Sequence, residues 1–165
     1  MNSIHYPVSL EIDGNIIDAA EAYERYIDTE PEACRDAFVN LSFLYWQSTE
    51  FGFNAAHKLP SSFIDRAAAR YAQILQRGID LYPTDVEFCF WQRYFDWASI
   101  GQEFTVDECE LYIEEPDCVV PYFFVRSLPG SIRQPRVEQQ LRTACEACPT
   151  LKNRYILSVL NSHAI

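Results

Sequence analysis

Four prolines, Pro31, Pro83, Pro116 and Pro149, stand 52, 33 and 33 residues apart. Three of them close near-identical phrases: Ile27-Asp28-Thr29-Glu30-Pro31, Ile79-Asp80-Leu81-Tyr82-Pro83 and Ile113-Glu114-Glu115-Pro116. Proline breaks the interior of a helix but is preorganised for the first turn of the next one. A recurrence near 33 residues therefore reads as helix pairs, each unit covering the apolar face that its neighbour leaves open. The expectation is an all-α chain, a stack of antiparallel helix pairs with about eight helices, forming a single domain over 1–165.

Helical periodicity and capping residues fill in the pattern. Asn15 with Asp18, Thr29 with Glu32, Ser62 with Asp65, Thr84 with Glu87 and Thr105 with Glu108 each have the spacing of a helix start. Apolar stripes follow them, such as Ile16, Ala19, Ala20, Tyr23 and Ile27 in the first helix and Ala37, Phe38, Leu41 and Leu44 in the second. Phe88, Phe90, Trp91, Tyr94, Phe95 and Trp97 surround most of a fourth helix, which places it inside a bundle. Pro121 and Pro135 suit the first turns of later helices. Residues 49–60 read as a loop or a short extra turn, and the core should include Leu41, Tyr71, Leu75, Trp91 and Phe95.

One segment departs from this period. Ile4, Tyr6, Val8, Leu10 and Ile12 alternate with polar residues and with Pro7, up to the turn Asp13-Gly14-Asn15. A period of two predicts a strand, and Pro7 restricts it to an edge, so residues 1–14 are expected as an extended arm. Val119 to Val125 is the best second candidate for a strand, although Pro121 interrupts it. A lone edge strand needs a partner, and a homodimer through strand pairing is one arrangement open to it.

Composition narrows the class. Hydrophobic residues make up 48% of the chain, which argues against disorder, and five glycines are few for a barrel or sandwich. The apolar stretch at 119–125 is too short to cross a bilayer. Residues 1–7 lack a basic segment followed by an apolar one, so the expected location is cytoplasmic, with no membrane partner. Six cysteines in that setting read as reduced, buried apolar side chains.

Charge is distributed unevenly. The formal net charge is −11, divided into −15 over residues 1–117 and +4 over 118–165. Residues 103–117 hold seven carboxylates, Glu103, Asp107, Glu108, Glu110, Glu114, Glu115 and Asp117, without a lysine or arginine among them. A field of that sign repels nucleic acid and steers basic partners.

The phrase Ile-Asp-x-x-Pro at the end of one helix, followed at once by an aromatic helix, resembles the tetratricopeptide-repeat class over about residues 16–160. Gly78 matches the small residue late in the second helix of that repeat. The resemblance implies a concave surface that holds a peptide or a neighbouring domain, without a cofactor.

No residue set specifies a reaction, and the chain is read as a non-enzyme without cofactor or metal. Cys145-Glu146-Ala147-Cys148 lacks a second pair to complete a zinc site, and it falls near a helix C-terminus, where no dipole stabilises a thiolate. Both cysteines are expected in the core. Glu110 and Glu114 lie four apart and read as a solvated face rather than an acid–base pair. The acidic stretch is the first candidate partner-binding surface. Trp46, Phe51 and Phe53, beside the inserted segment, are candidate exposed anchors. Together they suggest a small cytoplasmic inhibitor of immunity type that neutralises a basic toxin, for which a nuclease is the fitting class. A helical-repeat chaperone or scaffold cradling a partner segment is the alternative.

Overall fold

The alternating segment at the N-terminus folds as a helix, α1 (His5–Ile12), and not as an extended arm. A computed structural model of the chain describes residues 3–30, 34–113 and 118–162. Pro7 occupies the first turn of α1, where a missing N–H has no intrahelical acceptor to serve. Pro7 and Glu11 are buried, with Ile4, Val8 and Ile12 half-buried on the same helical stripe. Ile4, Val8 and Ile12 are therefore consistent with either period. The helix satisfies its own backbone, whereas an edge strand needs another strand, and none occurs among the described residues. Strand pairing at 5–12, on which the homodimer reading rested, is thus not available.

All ten elements among the described residues are helices, two more than the periodicity suggested. The additions are α1 and α4 (Phe51–Ala56), the latter lying in the segment read as a loop or a short extra turn. The chain divides into two compact units, one of Met1–Pro83 with Thr150–Lys152, the other of Thr84–Pro149 with Asn153–Ile165.

In the first unit α3 (Arg35–Thr49) is the central element and packs on α2 (Ile16–Thr29), α4 and α5 (Ser61–Leu81). Every residue of α3 from Ala37 to Trp46 is buried, including Leu41. α2 and α5 are amphipathic and cover it with Ala19, Tyr23 and Ile27 on one side and Phe63, Ala67, Ile74 and Leu75 on the other. Tyr71, expected in the core, is only half-buried; its carbonyl instead accepts the Ser42 hydroxyl at 2.6 Å. The phrase Ile27-Asp28 at the end of α2 is clasped by Arg77 of α5, which bonds the Asp28 carboxylate at 2.6 Å and the Ile27 carbonyl at 2.7 Å. Glu24 collects the Tyr45 hydroxyl at 2.9 Å and Arg70 at 3.0 Å. Burial, reinforced by the Glu24 carboxylate, pushes the Tyr45 phenol well above its usual range.

This unit also buries a carboxylate completely. Glu11 of α1 accepts the Tyr23 hydroxyl at 2.6 Å through Oε2 and the Leu151 backbone N–H at 2.6 Å through Oε1. Leu151 opens α10 (Leu151–Ser162), so the carboxylate serves one of the orphan donors of a helix N-terminus.

The second unit is built on aromatics. α6 (Val86–Ile100) buries Phe88, Phe90, Trp91, Tyr94 and Phe95, as its composition suggested, whereas Trp97, read with them, is 38% exposed in the last turn. α8 (Tyr122–Ser127), at the place of the second candidate strand, is a helix that buries Tyr122, Phe123, Phe124 and Val125. Phe123 stacks on Trp91 at 5.7 Å between centroids, and the Tyr94 and Tyr155 hydroxyls lie 2.6 Å apart. α9 (Pro135–Ala147) starts on Pro135 as expected. Pro83 and Pro149 fall between helices, whereas Pro31 and Pro116 lie outside the described residues.

Candidate functional site

α7 (Val106–Ile113) carries most of the described part of the acidic stretch, and its position follows from the residues that bracket it. Gly101 ends α6 in the left-handed region at φ 69, a conformation that costs glycine little. Phe104 then inserts into the aromatic core, 5.2 Å from the Phe124 ring. Thr105 accepts the Glu108 N–H at 3.2 Å and opens the helix, as its spacing predicted. Asp107 and Glu108 in the first turn are favourable to the helix dipole. Cys109 points inward and is fully buried, while Tyr112 and Ile113 are half-buried.

The acidic stretch is not without a counter-ion. Arg93 of α6 donates Nε to Glu108 Oε1 at 2.6 Å and Nη2 to Oε2 at 3.2 Å, a two-pronged pair. Its Nη2 also reaches the Glu103 carbonyl at 2.8 Å, and its guanidinium lies 5.2 Å from the Phe104 ring centre. The Glu108 hydrogen bond raises the Arg93 pKa further. Glu108 is therefore half-buried and engaged in holding α7 to α6, a correction to its reading as an exposed partner-binding group. Burial, aided by the charge of Glu108, pushes the Cys109 thiol up to about 12, which keeps it protonated and unreactive near neutral pH.

Glu103, Asp107 and Glu110 are exposed and make no ion pair with another described residue. Asp107, Glu110 and Leu111 share one outward face at spacings of three and four. Glu114, Glu115 and Asp117 lie outside the described residues. Beside α7, Glu110 and Ile113 line a groove of about 470 Å³ with Ile132 and Gln134 from the connection between α8 and α9. Leu111 is 65% and Ile132 76% exposed. Gly130, at φ 83, turns that connection.

The aromatic anchors separate. Phe51 is 83% exposed on α4, which buries no residue, whereas Phe53 is half-buried and packs on the His57 ring at 4.3 Å between centroids. Trp46 is 3% exposed, so it is core and not an anchor: it falls on α3, which is covered on all sides. The two cysteines of the 145–148 pair also differ, Cys145 being buried and Cys148 exposed just past the end of α9. Among the described residues no group of three or more His, Cys, Asp or Glu is placed to hold a metal ion. No helix described is long and apolar enough to cross a membrane.

The chain matches no protein-family model, no curated protein and no solved structure. Sequence reasoning missed Arg93, because a counter-ion fifteen residues from Glu108 is outside any local window. It also missed Ile132, whose signal was a bare aliphatic between Pro129-Gly130 and Pro135, where turn residues prevail.

Proposed function

We propose that this protein is an acidic binding protein that captures a basic partner through the outward face of α7. The observation that carries the reading is the contrast among neighbouring carboxylates. Glu108 is neutralised by Arg93, while Glu103, Asp107 and Glu110 stand in water with no counter-ion among the described residues. Asp107 and Glu110 on α7, with Glu103 in the segment just before it, are like charges that repel one another, and an incoming cationic surface relieves that repulsion. A small inhibitor of immunity type, plugging the phosphate-binding site of a basic toxin such as a nuclease, has the required charge and size. Within each unit successive helices are read as antiparallel pairs of repeat-like character.

Phe51 favours a second reading. A phenylalanine left in water on a helix that buries nothing suits a scaffold that takes up a partner segment at α4.

The test is affinity capture from the native source, with the captured protein identified, at low and high salt. The wild type is compared with a Glu103→Lys, Asp107→Lys, Glu110→Lys triple variant. The expected partner is basic; its association slows with salt, and the triple variant loses it, because like charges across an interface cost several kcal/mol. Equal capture of that partner by the triple variant refutes the reading and leaves the α4 scaffold.

A further inference from the structure

The groove beside α7 adds an apolar requirement to the charge. Ile132, exposed on the connection between α8 and α9, lines it together with Ile113, and Leu111 stands exposed on α7. Large aliphatic side chains held in water by ordered backbone are free to gain from burial against an occupant.

The charges around the groove decide which occupant fits. On the connection side Arg133 lies 3.5 Å from Glu138, a carboxylate that Arg126 and Arg142 share, so its charge is offset only in part and cations of an occupant are directed to the α7 side. On the α7 side Glu110 lines the groove and Asp107 stands one turn before it, neither in an ion pair with a described residue. The complementary occupant brings an aliphatic side chain for the isoleucines and cations for α7. The two carboxylates are three residues apart on a helix, which matches the spacing of lysines or arginines three or four apart on a facing helix.

We infer that the groove receives one face of a basic amphipathic helix of the partner, with an aliphatic anchor between Ile113 and Ile132 and flanking Lys or Arg side chains on Asp107 and Glu110. This rests on the reading of α7 as the face for a basic partner, and adds the apolar anchor and the helical form. The mode is a helix laid into a groove, where side chains at i, i+3 and i+7 provide the anchors.

The test uses three labelled peptides of about 18 residues, long enough to form a helix on contact. One carries leucines at i, i+3 and i+7 flanked by lysines, the second is its scramble, and the third replaces the leucines by alanine. Fluorescence anisotropy measures each against the full chain, Ile132→Asp, Glu110→Lys and, as a control for net charge, Asp65→Lys on α5. Circular dichroism checks that each variant is folded. The wild type is expected to bind the amphipathic peptide about tenfold or more tightly than the other two, as loss of one good apolar anchor implies. Ile132→Asp should weaken binding about tenfold although its added negative charge favours a cation, Glu110→Lys should weaken it similarly, and Asp65→Lys should leave it unchanged. If Ile132→Asp binds as well as or better than wild type, or the alanine peptide equals the leucine peptide, the anchor is refuted while the charge reading stands. An equally strong scramble refutes the helical form. If Glu110→Lys binds like wild type, or Asp65→Lys loses as much as Glu110→Lys, the α7 reading falls and the groove proposal with it.

Discussion

Replacing Glu11 by alanine should cost more stability than any other single change to a charged residue among those described. The carboxylate is fully buried and accepts two bonds of 2.6 Å, from the Tyr23 hydroxyl and from the Leu151 N–H that opens α10. Hydrogen bonds to a buried charge contribute about 1.5–3 kcal/mol each, and the donors left behind have no water to turn to. Against this stands the desolvation of the carboxylate, which the mutant no longer bears. The balance gives a loss of about 3–4 kcal/mol for Glu11→Ala. Glu11→Gln is isosteric and separates charge from shape. Its amide oxygen can still accept from Leu151, and its amino group can donate to Tyr23 Oη, which already accepts from Asn40 at 3.4 Å. Both contacts survive as neutral ones, at a cost of about 1–2 kcal/mol. Tyr23→Phe should cost a similar amount, and in the double variant with Glu11→Ala the two losses should fall short of additivity by more than about 1 kcal/mol. Urea denaturation of the full chain, followed by far-ultraviolet circular dichroism, measures all four. A loss below about 1 kcal/mol for Glu11→Ala, or full additivity with Tyr23→Phe, would refute the argument that this carboxylate holds α1 and the start of α10 in the first unit.

Three further outcomes are expected. Trp46→Ala should cost about 3–5 kcal/mol and Phe51→Ser less than about 0.5 kcal/mol in the same denaturation assay, because only the first residue is packed. Arg93→Met should lower stability by about 1–2 kcal/mol, discounted for the partial exposure of its pair with Glu108, and the loss should shrink when Glu108→Gln is already present; equal losses in both backgrounds would exclude that coupling. Burial pushes the Cys109 thiol from its ordinary 9.0 up to about 12, so the folded form retains a proton that the unfolded form releases. Its contribution is fully present below pH 9 and lost between pH 9 and 12, and Cys109→Ala should flatten that part of a stability-versus-pH curve unless the thiol is more exposed than described.

The all-helical class was legible in the chain, because a helix satisfies its backbone within one segment and its signals are therefore local. Pro83 and Pro149 mark joins, Pro135 opens α9, and Thr105 caps α7 where the spacing predicted. The core of α6 was readable for the same reason, since five of its aromatics lie close together in sequence and are buried, while its last turn, with Trp97 and Ile100, is exposed. Wherever two segments far apart in sequence had to meet, the local signal failed. His5–Ile12 alternates like a strand, but whether Glu11 is a polar outward residue or a buried acceptor depends on Tyr23 and on a backbone N–H 140 residues away. Trp46 and Phe51 lie five residues apart and look alike as aromatics near a loop. Packing by α5 and α2 around α3 buries one, whereas the other lies on α4, which packs on α3 without burying any of its own residues. The acidic run set the sign of the α7 face by composition alone, since charge adds without regard to fold. Which of its described carboxylates is paired within the fold was decided by Arg93, brought to Glu108 by the turn at Gly101 and the anchoring of Phe104.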